Sequence, residues 1–161
     1  MTDKAQTSAF SPIYNEVLSE REVKIMALVA FLKQNKREVE NIKFPASTSF
    51  VDEDGKVLEW TLKPLKAKEA ENIRKQCQSY GKGGKVVVDS ARFNRLVAVK
   101  CTVEPNLNDA ELQDSYGVMG AEDLIVEMLD NDGEYQAYVR KCMEISGYNQ
   151  TDAELVEEAK N

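Results

Sequence analysis

The sequence predicts an α+β fold: an N-terminal helix, a small antiparallel sheet with a β-hairpin, and a helical C-terminal portion. Three observations predict it. Apolar residues recur at helical spacing between Glu16 and Gln34, the chain then alternates strictly around an Asp-Gly pair, and glycines cut the last third into short amphipathic segments. With 161 residues, 42% of them hydrophobic, the chain is long enough to bury one core without disulfides or metals.

Residues 1–15 carry few apolar anchors and include Thr2, Ser8, Ser11 and Pro12. They read as a loose arm ahead of a single domain spanning residues 16–161. In the first helix Leu18, Ile25, Leu28, Val29 and Leu32 share a face, while Met26 and Phe31 broaden it. Such a helix suits a core, and it also suits exchange with a partner.

The hairpin is expected over about residues 41–63. Ile42, Phe44, Ala46, Thr48 and Phe50 alternate with polar neighbours, and Leu58, Trp60 and Leu62 do so after Asp54-Gly55. Asp-Gly favours the tight turn because glycine takes positive φ at low cost. Pro45 lacks a ladder N–H and marks an edge position.

Past Pro64, a helix should open near Lys66, carry Ala70, Ile73, Cys77 and Tyr80 on one stripe, and stop at Gly81. Gly81-Lys82-Gly83-Gly84-Lys85 reads as a flexible linker, and Val86–Val88 as a short third strand. A helical portion over about residues 89–160 follows, opened by Asp89 or Ser90 and interrupted at Pro105. Its later helices are expected at about 109–116, 121–129, 134–146 and 151–160, the last with a Thr151/Glu154 capping box.

Composition closes most catalytic routes. There is no histidine, so the chain holds no Ser-His-Asp or Cys-His nucleophile and no imidazole metal ligand. Cys77, Cys101 and Cys142 are too far apart in sequence for a CxxC pair or a zinc knuckle and read as buried thiols of a reduced cytoplasmic protein. The longest apolar run, Ile25–Leu32, is far short of the roughly 20 residues of a membrane span.

Net charge is 0, +4 and −11 over residues 1–40, 41–105 and 106–161. The acidic last third argues against a nucleic-acid face there.

Neither acidic turn fits a calcium loop: with Gly55 or Gly133 at the sixth position, the first would be Phe50 or Met128 and the twelfth Thr61 or Val139. Gly-Lys-Gly-Gly-Lys is not a phosphate loop, because Lys85 precedes Val86 and not Ser or Thr. The expectation is no enzyme, no catalytic or metal residue and no cofactor. The remaining signal is adaptable apolar surface, Met and Tyr side chains on short helices with an acidic rim. Leu124, Met128, Tyr135 and Tyr138 are the candidate partner-contact residues.

From about residue 40 onward the chain resembles the XkdN-like tail assembly chaperones of Gram-positive phages and prophages. The resemblance rests on the hairpin with Gly55 and Trp60, the corner Glu104–Leu107, Asp114-Ser115-Tyr116-Gly117 and Gly133-Glu134-Tyr135. It implies a non-virion protein of the host cytoplasm that binds the tape measure protein and helps recruit tail tube subunits, with homo-oligomerisation left open. The alternatives are a structural tail tube or connector component and, less favoured, a carboxylate-dependent metal enzyme. The resemblance also implies a longer frameshifted product, with which Ala159-Lys160-Asn161 is compatible through a slippery codon run.

Overall fold

A computed structural model describes residues 18–148 of the chain. In chain order the elements are α1 (Glu20–Ala30), β1 (Ile42–Phe44), β2 (Trp60–Leu62), α2 (Ala67–Cys77), β3 (Gln78–Tyr80), β4 (Val86–Val88), α3 (Ser90–Cys101), β5 (Thr102–Glu104), α4 (Ala110–Ser115), α5 (Ala121–Met128) and α6 (Asp132–Ile145). The expected arm over residues 1–15 and the helix at Thr151–Lys160 lie outside the described residues. The chain divides into two compact units, Met1–Glu38 and Val39–Asn161.

In the first unit α1 opens with a capping box. The Ser19 hydroxyl accepts from the Glu22 amide at 3.3 Å, and the Glu22 carboxylate accepts from the Ser19 amide at 2.8 Å. The helix is shorter than its apolar periodicity, because Leu32 turns extended and the Asn35 side chain donates to the Val29 carbonyl at 2.6 Å. Taken by itself, α1 buries none of its residues.

The second unit contains a three-stranded antiparallel sheet ordered β1-β2-β5. All three residues of the central β2 are buried. The turn is the expected one: the Asp52 carboxylate accepts from the Asp54 and Lys56 amides, both at 2.9 Å, and Gly55 takes φ +79°. The strand expected to reach Phe50 ends at Phe44. Ser47 is buried, and the Thr48 amide and hydroxyl both donate to Glu134 Oε1 at 3.0 Å, so the chain leaves the sheet toward α6. Pairing therefore changes register, from Ile42 opposite Leu62 to an isolated bridge between Val51 and Val57.

α3 is the central helix, packed on α2, α5 and α6, and it buries Leu96, Val97, Ala98 and Cys101. Asp89 caps it by accepting from the Arg92 amide at 2.9 Å. Arg92 then joins three helices, donating twice to Glu122 of α5 at 3.3 Å and to the Gln76 carbonyl of α2 at 3.1 Å.

The core between sheet and helices centres on Tyr138. Its ring meets Trp60 edge-on at 5.3 Å and lies 6.2 Å from Phe44. Thr102 gives its hydroxyl proton to the Ala98 carbonyl at 2.7 Å, so Tyr138 donates to Thr102 at 2.6 Å and the buried phenol is satisfied. Ser146 closes the far end: its hydroxyl accepts from the Leu65 amide at 2.9 Å and donates to the Cys142 carbonyl at 2.6 Å.

One expectation fails clearly between α2 and α3. The helix stops at Cys77, so Tyr80 stands in a strand and is 82% exposed instead of lying on the helical stripe. Gly81–Lys85 is the tip of a hairpin joining β3 to β4, not a linker, with Gly83 and Gly84 at φ +79° and +75°. Gly81 supplies the tip's closing contact, its amide donating to the Lys85 carbonyl at 2.8 Å.

Candidate partner-binding groove

The structure separates the four residues singled out for partner contact. Leu124 and Tyr138 are fully buried and Met128 is 6% exposed, so these three belong to the core. Tyr135 is half-buried and lines a groove of about 330 Å³ between α3, α5 and α6.

The arrangement follows from helix spacing. Tyr135 and Tyr138 are three residues apart on α6, close enough to share a side and far enough that one faces the sheet and the other the groove. Ala91, Asn94 and Arg95 of α3 form one wall, Val126, Leu129 and Asp130 another, and Asp132 and Gln136 stand beside Tyr135. Apolar side chains line the groove together with the Asp130 and Asp132 carboxylates and the Arg95 guanidinium.

Arg95 is the polar centre of this groove. Its Nη1 lies 3.9 Å from Asp123 Oδ1, at the outer limit of an ion pair. Its Nε is buried and has no hydrogen-bond partner among the described residues. An unmet donor of this kind costs about 1–3 kcal/mol, while the side chain as a whole, 34% exposed, stays open to an acceptor from a partner. Burial pushes the Tyr135 phenol up, and the neighbouring Arg95 charge pulls it partly back.

A second groove of about 370 Å³ lies on the other side of Asn94, lined by Arg74, Gln78, Val88, Ser90 and Phe93. The two share Asn94, so the exposed side of α3 is flanked by side-chain-sized depressions along Ser90–Arg95. Periodicity marked the buried side of α3 but carried no signal for Arg95. Asp130 and Asp132 read only as a connection between helices.

Among the described residues no group of three or more His, Cys, Asp and Glu side chains is placed to hold a metal ion. No helix among them is long and apolar enough to cross a membrane. The buried Cys142 thiol is pushed well up by its hydrogen bond with Cys101 and by desolvation, which leaves it unreactive.

Several positions that carried the family resemblance are structural. Gly55 turns the hairpin, Trp60 fills the core, Gly117 takes φ +66° after α4, and Glu134 ties α6 to Thr48. The family model for the phage XkdN-like tail assembly chaperone protein matches residues 28–160. The chain belongs to the XkdN-like phage tail assembly chaperone family.

The chain is also similar to two curated proteins and one solved structure. The phage-like element PBSX protein XkdN of Bacillus subtilis (strain 168) is 30% identical over 148 residues, covering 89% of this chain and all of the relative. The uncharacterised protein YqbN of the same strain is 30% identical over 142 residues, covering 86% and 95%. The crystal structure of YqbN superposes with a TM-score of 0.64 at 26% identity, over 73% of this chain and 93% of that one.

Proposed function

We propose that this tail assembly chaperone holds the tape measure protein of its own phage or prophage, brings tail tube subunits to it, and is left out of the finished particle. The observation that carries the reading is the groove beside Tyr135, an apolar depression lined by the partly exposed Arg95 side chain, in a chain of this family. Long helical partners offer what that groove lacks: an apolar side chain for the floor, a carboxylate or carbonyl for Arg95, and a basic residue for Asp130 and Asp132. Binding of this kind needs no covalent chemistry, in keeping with a chain that has no histidine. The work takes place in the cytoplasm of the bacterial host, where tails are built.

Co-expression with the tape measure protein from the same genome tests the proposal. The partner should become soluble and co-purify with the chaperone, and mass spectrometry of purified virions should not find the chaperone. Finding it in virions at a fixed stoichiometry would favour a structural tube or connector component. A tape measure protein that stays insoluble would remove the support for the short chain as its holder.

A further inference from the structure

The β3–β4 hairpin stands apart from the Tyr135 groove, and among the described residues the outer edge of β4 pairs with no strand. It is a two-stranded sheet pairing Gln78 with Val88, Ser79 with Val87 and Tyr80 with Val86. Isolated two-stranded sheets are marginal in water, and an unpaired edge is a template for another strand. All six paired residues are exposed, three of them consecutive valines.

The ladder fixes which backbone groups are free. The Asp89 amide donates to the Cys77 carbonyl at 2.9 Å and the Gly81 amide to the Lys85 carbonyl at 2.8 Å. Hydrogen-bonded positions alternate in an antiparallel pair, so Val87 faces β3 with its N–H and C=O. Val86 and Val88 therefore point theirs outward.

We propose that the outer edge of β4 pairs antiparallel with the same edge of a second copy of this chain, on a two-fold axis through Val87. In that register Val86 faces Val88 of the second copy, and each such pair exchanges two hydrogen bonds, using every outward group of the edge. Lys85 then stands opposite Asp89 of the second copy, and Asp89 opposite its Lys85. Only Oδ1 of Asp89 is taken by the Arg92 amide, which leaves Oδ2 for the lysine. Opposite charges at facing positions favour pairing, and the two-fold makes the gain twice.

Neighbouring registers lose this match. A shift of two residues sets Val88 against Gly84, inside the hairpin tip, or Val86 against Ser90, inside α3, and faces Lys85 or Asp89 with Val87. The symmetric contact is closed and stops at two copies. It holds whether or not the chain binds the tape measure protein.

The experiment is sedimentation equilibrium of the full chain together with cross-linking through one introduced surface cysteine, the three native cysteines being buried. The expected species has twice the 18.1 kDa chain mass. Val87→Lys puts like charges on the axis and should raise the dimer Kd about tenfold or more, with an unchanged circular dichroism melt. Val88→Pro removes an outward N–H that the hairpin does not use, and should do the same. Val87→Cys should form an intermolecular disulfide readily because the two side chains meet on the axis, while Val86→Cys, opposite Val88, should not. A monomer at every concentration, a dimer indifferent to Val87→Lys and Val88→Pro, or equal cross-linking of the two cysteine variants would each overturn the pairing.

Discussion

Among individual side chains, Trp60 and Tyr138 are the large aromatic ones buried in the core. Trp60 lies against Tyr138 and Phe50, so Trp60→Ala should cost about 3–5 kcal/mol, read as a lowered urea midpoint at constant slope. Tyr138→Phe keeps the ring and removes one hydrogen bond, and Thr102 keeps its bond to Ala98; about 1 kcal/mol should be lost. Acid acts through other residues. Hydrogen bonds from Ser47 and then from the Thr48 amide and hydroxyl hold Glu134 below its ordinary range, and those from Thr61 and Lys43, with the Lys43 charge, do the same for Glu104. A carboxyl lowered in the folded state stabilises above its unfolded pKa of about 4.3, and that contribution is lost as pH falls through the folded value. Urea midpoints should therefore drop on acidification below that point. The drop should be shallower in the Glu104→Gln, Glu134→Gln double variant; an identical slope would place the acid sensitivity elsewhere.

Elements are where the sequence was most and least legible. α3 to α6 stand close to where apolar spacing put them, and Asp89, Asp109 and Asn131 cap α3, α4 and α6 by accepting from an amide of the first turn. Asp89→Ala should cost about 1 kcal/mol in thermal or urea unfolding, and Asp89→Asn much less. Local pattern failed where a distant partner decided the outcome. The alternation through Phe50 is a real strand signal, yet Glu134, 86 residues away, holds Thr48 off the sheet. The stripe through Tyr80 likewise fits a helix, but the valines of β4 pair with Gln78–Tyr80 and end α2 at Cys77. Of the four residues suggested for partner contact, Met and Tyr composition could not separate the surface from the core. Only the packing of α6 against both the sheet and α3 distinguishes Tyr135 from Tyr138.

At the scale of the whole molecule, the proposed partner contact and the core fall on different side chains, Tyr135 half-buried at the groove and Met128 buried. Met128→Ser should destabilise the chain by about 3 kcal/mol and lower Tm by several degrees. Tyr135→Ser should leave Tm nearly unchanged while abolishing co-purification of the tape measure protein, and a large fall in Tm with Tyr135→Ser would assign that ring to the core as well. The lysine-rich tip and valine edge of the hairpin lie on different elements from Tyr135, so substitutions at the two places should act independently. The Ser146 hydroxyl, finally, has a bearing on how the protein is made. Leu65 receives its acceptor from Ser146, which caps α6, and Trp60 its edge-on aromatic neighbour from Tyr138 of α6. During vectorial synthesis the sheet and first helices leave the ribosome with their central cavity open, and they wait for the last described helix to plug it. Nascent chains arrested before Asp132 should thus be cut readily by protease in segments that resist once Ser146 has emerged.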